Sequence, residues 1–411
     1  MVPAHESAFE PETPAPPPAV YARAGRSALT VFFLSGMLMS FPGAILPAWG
    51  YHLKDDFMVV GYYFLAMGLG ILISVQAGPV LLAWKDVRTV LTGSAGLAGL
   101  SFLWLALTSP PAHWPWRMAG LVLMGISAGL LNSAAFQAIS TFYEQDKAAT
   151  VNLAGVMFGL GCLTTALMVS TTFYVYAVGS ILLLMGLVPS FAAGLYWKAR
   201  FPVPVLHSQQ RWREVWADVK SPGAVMFSLL LFFQFGNEWT VAGWLTIFLV
   251  QRVGVSPDSS LMMLAAFWFS LLAGRIVAQA LLSRMGHGKL LMGSATSALF
   301  GCLILIATNN RFGAWTGLLL LGGGFAMIYP LVVEKIGHRF PNYHPGFFNG
   351  IFSFGITGGL LAPWLVGYLA QDLGIWVVMA VPLIGTFMVF LLLILLWVEA
   401  LLTASGAGGR G

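Results

Sequence analysis

The sequence predicts an all-α membrane protein, in which twelve transmembrane helices form two parallel repeats of six. Hydrophobic residues make up 58% of the 411 residues and charged residues only 9%, against about 25% charged in soluble proteins. The apolar residues lie in blocks long enough to cross a hydrocarbon core of roughly 30 Å as helices. The alternating pattern of a membrane β-barrel is missing, so the class is all-α.

The apolar blocks give the predicted helices in order. They lie near 28–50, 58–82, 88–108, 116–140, 150–171, 174–197, 223–251, 260–284, 289–308, 314–337, 346–369 and 375–402. The predicted division of the chain is a disordered tail at 1–27, a six-helix bundle at 28–197, a polar linker at 198–222, a second bundle at 223–402 and a disordered tail at 403–411. The linker suits either a short amphipathic helix on the membrane surface or a simple tether.

Matched glycines indicate that the two bundles are repeats. The pairs are Gly36 with Gly236, Gly43 with Gly243, Gly125 with Gly322, and Gly161 with Gly358. Glycine inside an apolar helix permits close contact between helices, so matched placement predicts the same packing in both halves. Parallel repeats of about six helices are typical of secondary transporters.

The distribution of basic residues predicts the orientation. Apart from Arg275 inside a span, only Lys54, Arg117, Arg252 and Arg311 fall on the face opposite the two termini. This asymmetry follows the positive-inside rule. We therefore expect a multi-pass protein of a cell membrane, in particular a bacterial inner membrane, with both termini cytoplasmic. The basic residues flank helix ends and form no continuous face, so nucleic acid is not an expected partner; membrane lipid is.

Glu238 is the main candidate for chemistry, because it lies near the middle of the seventh span. A charged side chain there costs roughly 2.5–3.5 kcal/mol on insertion, so it should face a cavity or a partner. Gln234, Asn237 and Glu238 share one face of the helix, with Trp244 further along. Amides and a carboxylate bind hydroxyls, and an aromatic ring covers the C–H face of a sugar. These four residues are the predicted substrate site, and Glu238 is also the predicted proton acceptor.

A structural role is the alternative for Glu238. Arg275 of the eighth span is the one basic residue well inside a span, and an internal ion pair between the two is the competing interpretation. For Arg275 itself a gate or helix-anchoring pair is expected, because it lies nearer the cytoplasmic edge.

Further candidates come from comparing the two repeats. Asn132 of the fourth span corresponds to Tyr329 of the tenth, and Gln137 corresponds to Glu334. We expect Asn132, Gln137 and Tyr329 to line a cavity shared by spans 1, 4, 7 and 10, although each could instead form a hydrogen bond between helices. Glu334 lies near the cytoplasmic end of its span and is expected at an inner gate or interface.

Several other functions lack support in the sequence. There is no Gly-rich phosphate-binding loop followed by Lys-Ser or Lys-Thr, which argues against an ATP-driven pump. No His, Cys and Asp cluster has the spacing of a metal site, and no catalytic Ser-His-Asp set is evident. We expect neither an enzyme nor a cofactor or metal, and we expect a monomer.

The chain resembles the major facilitator superfamily over residues 28–402 and, within it, the fucose permease-like branch of sugar transporters. The stretches that carry the resemblance are 43–47, 236–239 with Gly243 and Trp244, and Gly274 and Arg275 followed by Arg284 and 289–291. The resemblance implies alternating access between two six-helix bundles, with a sugar as substrate.

Two departures from the family pattern bear on mechanism. Leu82 stands where the superfamily signature after Gly78 has an aspartate. Spans 1 and 4 contain no acidic residue, whereas proton-coupled fucose permeases carry acidic residues there. Proton coupling would therefore depend on Glu238; otherwise transport is coupled to sodium or uncoupled.

The sequence thus predicts a secondary active transporter for a small neutral polar solute, in particular a monosaccharide. An efflux carrier for a more hydrophobic compound is the first alternative, because the expected cavity is aromatic and poor in charge. A membrane sensor built on a carrier fold is the second; such a sensor usually has an appended soluble domain, for which the tails are too short.

Overall fold

The computed structural model describes residues 18–143, 147–199, 201, 221–282, 284–340 and 345–408. Within these residues the chain forms twelve long helices and no strand, which confirms the predicted all-α class. Helices α1 to α6 are Pro18–Ile45, Phe57–Trp84, Val87–Leu107, Trp114–Tyr143, Lys147–Thr172 and Val178–Lys198. Helices α7 to α12 are Pro222–Phe248, Pro257–Leu282, His287–Ala307, Arg311–Arg339, Pro345–Leu373 and Val377–Gly408.

The described ends of the chain are more helical than expected. α1 begins at Pro18, inside the tail predicted for 1–27, and α12 continues to Gly408, inside the tail predicted for 403–411. Helical hydrogen bonds lie within the helix itself, so they can continue beyond the hydrocarbon core. Residues 1–17, the linker residues 202–220 and residues 409–411 lie outside the described residues.

α7 differs in composition from the other long helices. Eleven helices among the described residues are long and apolar enough to cross a membrane, and α7 is not one of them. Gln234, Asn237 and Glu238 interrupt its apolar sequence, yet all three are buried. Polar groups at this depth are tolerated where a helix faces protein or a cavity rather than lipid. α7 therefore lies inside the bundle and is the natural place for a functional site.

The repeated glycines lie at matching backbone contacts in the two halves. A Cβ on Gly125 in α4 would lie 2.0 Å from the Met67 carbonyl oxygen of α2. Its counterpart Gly322 in α10 would place a Cβ 2.7 Å from the Phe267 carbonyl oxygen of α8. No side chain fits at either contact. The predicted repeat is thus confirmed at the level of individual helix contacts.

The pairing of α1 with α5 has the same counterpart in the second half. A Cβ on Gly161 in α5 would lie 2.0 Å from the Phe33 carbonyl oxygen of α1. A Cβ on Gly358 in α11 would lie 2.0 Å from the Phe232 carbonyl oxygen of α7. These contacts stabilise each half through van der Waals packing. Such packing is needed because the hydrophobic effect gives little drive for helix association in lipid.

The two halves meet along two sides and at one end. α2 packs against α11 and α5 against α8, while α1 meets α7. The number of helices is even, so both ends of the described chain lie on one face, which we call the terminal face. The opposite face carries the loop between α1 and α2 (residues 46–56), and we call it the distal face. Contacts between α1 and α7 lie towards the distal face.

A buried arginine organises the loop between α1 and α2. The Nε of Arg117 donates to the Tyr63 hydroxyl at 2.7 Å, and its Nη2 donates to the Tyr51 hydroxyl at 3.2 Å. Its guanidinium also lies over the Trp49 ring, 5.6 Å from the centroid. Arg117 thereby ties the loop to α2 and to the start of α4. Tyrosine hydroxyls and carbonyl oxygens accept from this cation, which has no carboxylate partner among the described residues.

We expect Gly358→Val to destabilise the protein by about 1–3 kcal/mol or more, because a rigid backbone oxygen occupies the space the side chain needs. Gly293→Val is the matched control, since Gly293 is an exposed helical glycine with no atom within 4 Å of a Cβ. The measurement is the free energy of unfolding in mixed micelles titrated with SDS. Equal losses in both variants would contradict the packing argument.

Candidate functional site

The site helix α7 has defined signals at both ends. It begins after Ser221, whose hydroxyl accepts from the Ala224 N–H at 3.3 Å, and Pro222 occupies the first helical turn. The helix continues beyond Phe248 as a short π-helical turn, Leu249–Val253, and ends at Gly254, where φ is 71°. A left-handed residue at this position favours glycine. These ends place Glu238 in the middle of a continuous helical segment.

A small cavity lies between the two halves, next to Glu238. We call it the central cavity. Its lining includes Met39, Ser40, Phe64, Met67, Phe158, Glu238, Trp239, Trp268 and Gly359, from helices α1, α2, α5, α7, α8 and α11. Its volume is about 30 Å³, far below the roughly 300–1,000 Å³ of pockets that bind small molecules. A monosaccharide needs a larger pocket, so the two halves must move before such a molecule can bind.

Glu238 is the one buried carboxylate among the described residues, with 7% of the residue exposed. It forms no ion pair with Arg275 in this conformation; the described ion pairs are His287–Glu334, His338–Glu334 and Arg339–Glu399. Both amide atoms of Gln234, one turn earlier, are buried without a hydrogen-bond partner among the described residues. The carboxyl is therefore available to the cavity.

Two indoles accompany the carboxyl. Trp239 follows Glu238 in α7, and Trp268 comes from α8. Neither was predicted as a site residue from the sequence. Trp239 could have been selected because it follows Glu238 directly, whereas Trp268 lies between Phe267 and Phe269 in an apolar stretch that gives no such indication. The carboxyl, the two rings and the Ser40 hydroxyl give the cavity hydrogen-bonding groups beside flat apolar surfaces.

A contact between α1 and α7 closes the cavity towards the distal face. A Cβ on Gly43 would lie 2.0 Å from the Ala242 carbonyl oxygen, so the two backbones touch. The Thr246 hydroxyl donates to the Gly43 carbonyl oxygen at 2.9 Å. Ala242 lies four residues beyond Glu238 in α7, so this contact is roughly 6 Å further along the helix at 1.5 Å per residue. The cavity is closed on this side by contact between the halves.

Trp244, a predicted substrate residue, belongs to this closure and not to the cavity lining. It is fully buried, and its Nε1 donates to the Pro363 carbonyl oxygen at 3.0 Å. Its ring packs against Phe64 and Phe57, with centroids 5.8 and 6.3 Å away. Because Phe64 and Phe57 belong to the other half, Trp244 helps to hold the halves together.

Asn237, Asn132 and Tyr329, all predicted site residues, contact neighbouring helices. Asn237 donates from Nδ2 to the Thr386 hydroxyl of α12 at 3.3 Å. Asn132 accepts from the Ser35 hydroxyl of α1 at 2.9 Å. The ring of Tyr329 packs at a tilt against Phe235, 5.3 Å between centroids, and Gln137 lies half-buried further along α4. The structure does not bring these residues into the lining of the central cavity.

Arg275 and Glu334 occupy interface positions. The Nη1 of Arg275 donates to the Gly155 carbonyl oxygen at 2.8 Å, which joins α8 to α5 across the two halves. Glu334 contacts His287 at 3.0 Å and His338 at 3.7 Å near the terminal face. Among the described residues no group of three or more His, Cys, Asp or Glu side chains could hold a metal.

Twelve helices in two related halves, with a cavity between them that is closed on the distal side, form the architecture of a secondary transporter. The sequence profile of the Major Facilitator Superfamily matches residues 28–357. The chain therefore belongs to this superfamily, and it is a transporter rather than an enzyme.

Comparisons with individual proteins agree with this assignment. The chain is 23% identical to an uncharacterised MFS-type transporter of Yersinia pestis over 348 residues, which cover 83% of this chain and 87% of the relative. It is 26% identical to a glucose/galactose transporter of Brucella abortus over 162 residues, or 39% of each chain.

Solved structures share the fold at low sequence identity. The nucleoside transporter NupG aligns with a TM-score of 0.67 and 12% identity, over 92% of this chain and 98% of that one. The fucose:proton symporter FucP of E. coli aligns with a TM-score of 0.61 and 14% identity, over 92% and 99%. These similarities establish the fold.

We expect Thr246→Val to weaken the distal closure by about 1 kcal/mol, since it removes one hydrogen bond between the halves. The fraction of molecules open at the distal face should rise about fivefold. Spin labels on Lys54→Cys and Arg311→Cys, both exposed positions on the distal face, report the opening as a longer distance.

The matched control for this change is Thr296→Val, because the Thr296 hydroxyl bonds only to the Met292 carbonyl oxygen of its own helix. Native Cys162 and Cys302 are buried and should remain unlabelled. An unchanged distance distribution in Thr246→Val would show that this bond does not hold the halves together.

Proposed function

We propose that this protein is a secondary active transporter that carries a monosaccharide across the membrane by alternating access. The observation that carries the proposal is the buried Glu238 carboxyl, which faces a cavity between the two halves beside two indole rings. A carboxylate binds sugar hydroxyls, and an aromatic ring packs on the C–H face of a pyranose. The glucose/galactose transporter among the relatives and the fucose symporter among the structural neighbours support this substrate class.

The closed distal face supports alternating access as the transport mechanism. In this state Gly43 and Thr246 hold α1 against α7, and the cavity is too small for a sugar. Binding would require the halves to separate at one face, rocking about the α2–α11 and α5–α8 contacts, and release would require separation at the other.

We propose Glu238 as the proton-coupling residue. It is the one buried carboxylate among the described residues, and α1 and the described part of α4 contain no acidic residue. An ionised carboxylate in this apolar lining is costly, so taking up a proton lets the loaded carrier reorient. Sodium coupling and uncoupled transport are the alternative mechanisms for the same carrier.

A second candidate function is the efflux of a more hydrophobic compound. The observation that favours it is the apolar part of the cavity lining, in which Met39, Phe64, Met67 and Phe158 surround the few polar groups. An efflux carrier would show competition among unrelated hydrophobic compounds and little discrimination between sugar stereoisomers.

The location and assembly of the carrier are part of the proposal. We infer a bacterial inner membrane with the terminal face cytoplasmic, because Lys85, Arg88, Lys289 and Lys335 lie at helix ends on this face. We further propose that the carrier works as a monomer, since its cavity is built within one chain.

The test is uptake into proteoliposomes of labelled D-glucose, D-galactose, L-fucose and D-xylose, with uridine as a nucleoside comparison. We expect an inward proton gradient to stimulate uptake of one sugar. Glu238→Gln should lose this stimulation but retain exchange of the sugar across the membrane, because the glutamine mimics a protonated carboxyl. Glu334→Gln, which changes a more exposed glutamate, is the matched control.

Each alternative has its own outcome in this assay. Uptake of uridine but of no sugar would replace the sugar with a nucleoside as substrate. Absence of uptake for all five solutes would contradict the proposal and direct attention to efflux. Gradient-stimulated sugar uptake that persists in Glu238→Gln would leave the sugar carrier intact and remove Glu238 from the coupling step.

A further inference from the structure

Trp268 has an unusual hydrogen-bonding state for a buried tryptophan. The residue is 4% exposed, and its Nε1 has no hydrogen-bond partner among the described residues. Its ring packs on Phe267, 5.3 Å between centroids, and lines the central cavity. A buried indole N–H usually has a partner, because an unsatisfied donor in an apolar environment is unfavourable.

The other two buried tryptophans among the described residues satisfy this rule. Trp244 donates to the Pro363 carbonyl oxygen at 3.0 Å, and Trp49 donates to the Ser109 hydroxyl at 3.2 Å. Neither appears in the lining of the central cavity. Of the three buried tryptophans, the one that lines the cavity is therefore the one whose N–H has no partner among the described residues, and a transported molecule could supply the missing acceptor.

The chemistry of the two polar groups restricts what such a molecule must offer. An indole Nε1 only donates, so it needs an acceptor, whereas the Glu238 carboxyl offers acceptor oxygens to a donor. A hydroxyl group can do either. A solute with hydroxyls at two positions of a compact ring can satisfy both groups at once, and Trp239 offers a flat surface for its C–H face.

We propose that Trp268 is a specificity-determining residue that donates its indole N–H to one particular hydroxyl oxygen of the transported sugar. This inference rests on the proposed monosaccharide function. It assigns the selection of that hydroxyl to α8, a helix for which the sequence indicated only the gate residue Arg275. A site built to bond a hydroxyl discriminates strongly against the analogue that lacks it, because a buried polar group is then left unpaired.

The test compares Trp268→Phe with wild type, using the sugar that wild type takes up and its complete set of monodeoxy analogues. We expect one analogue to bind wild type about tenfold or more weakly than the parent sugar, in keeping with one lost hydrogen bond. Trp268→Phe should bind the parent about tenfold more weakly and should no longer distinguish it from that analogue. Trp239→Phe is the control, since it alters an indole in the same cavity and should retain the discrimination.

A second variant separates the N–H from the shape of the ring. Replacing Trp268 by β-(3-benzothienyl)alanine keeps the bicyclic ring and removes only the donor, so it should reproduce the loss of discrimination even if the phenylalanine variant is unstable. Unchanged discrimination between the parent sugar and that analogue in both variants would overturn the inference. If wild type takes up no sugar, the proposed function fails and this inference fails with it. If wild type takes up a sugar but the variants still discriminate, only the role of Trp268 is refuted.

Discussion

Close backbone contact between helices is the constraint on which the rest of this structure depends. Lipid tails are as apolar as the helices, so burial of apolar surface gives little force for helix association in a membrane. The helices instead approach until a glycine of one meets a carbonyl oxygen of another, as Gly161 meets Phe33 and Gly358 meets Phe232. Because the same contacts occur in both repeats, each half is a compact unit that can move as a body.

The contacts between the halves combine the same close backbone approach with side-chain hydrogen bonds. The α1–α7 contact at Gly43 and Thr246 closes the distal side by backbone contact and one hydroxyl bond. Arg275 joins α8 to α5 through a single carbonyl oxygen. A carrier that opens alternately at two faces must break the contacts at one face while it keeps those at the other. The central cavity lies between these contacts, so any molecule in it would be sensitive to their state.

Much of the fold could be predicted from the sequence, because apolar length alone identifies a helix that crosses a bilayer. The helix order, the two repeats and the packing role of the repeated glycines are all confirmed. The predicted helix ends were less accurate, as Pro18 and Gly408 show, since hydropathy marks the membrane boundary and not the last hydrogen bond. Glu238 could be selected because charge in an apolar span is rare, whereas Trp268 resembles any other apolar core residue in sequence.

The sequence by itself determined the twelve helices, their division into repeats and the depth of Glu238, because these depend on composition and order along one dimension. Only the tertiary structure decided which side chains share a cavity. Each residue turns the helix by about 100°, so Trp239 and Glu238 line the cavity while Asn237 faces α12 and Trp244 packs against the other half. Trp268 of α8 lines the same cavity. Its place there depends on how the helices pack in three dimensions, and the local sequence around Trp268 does not indicate it.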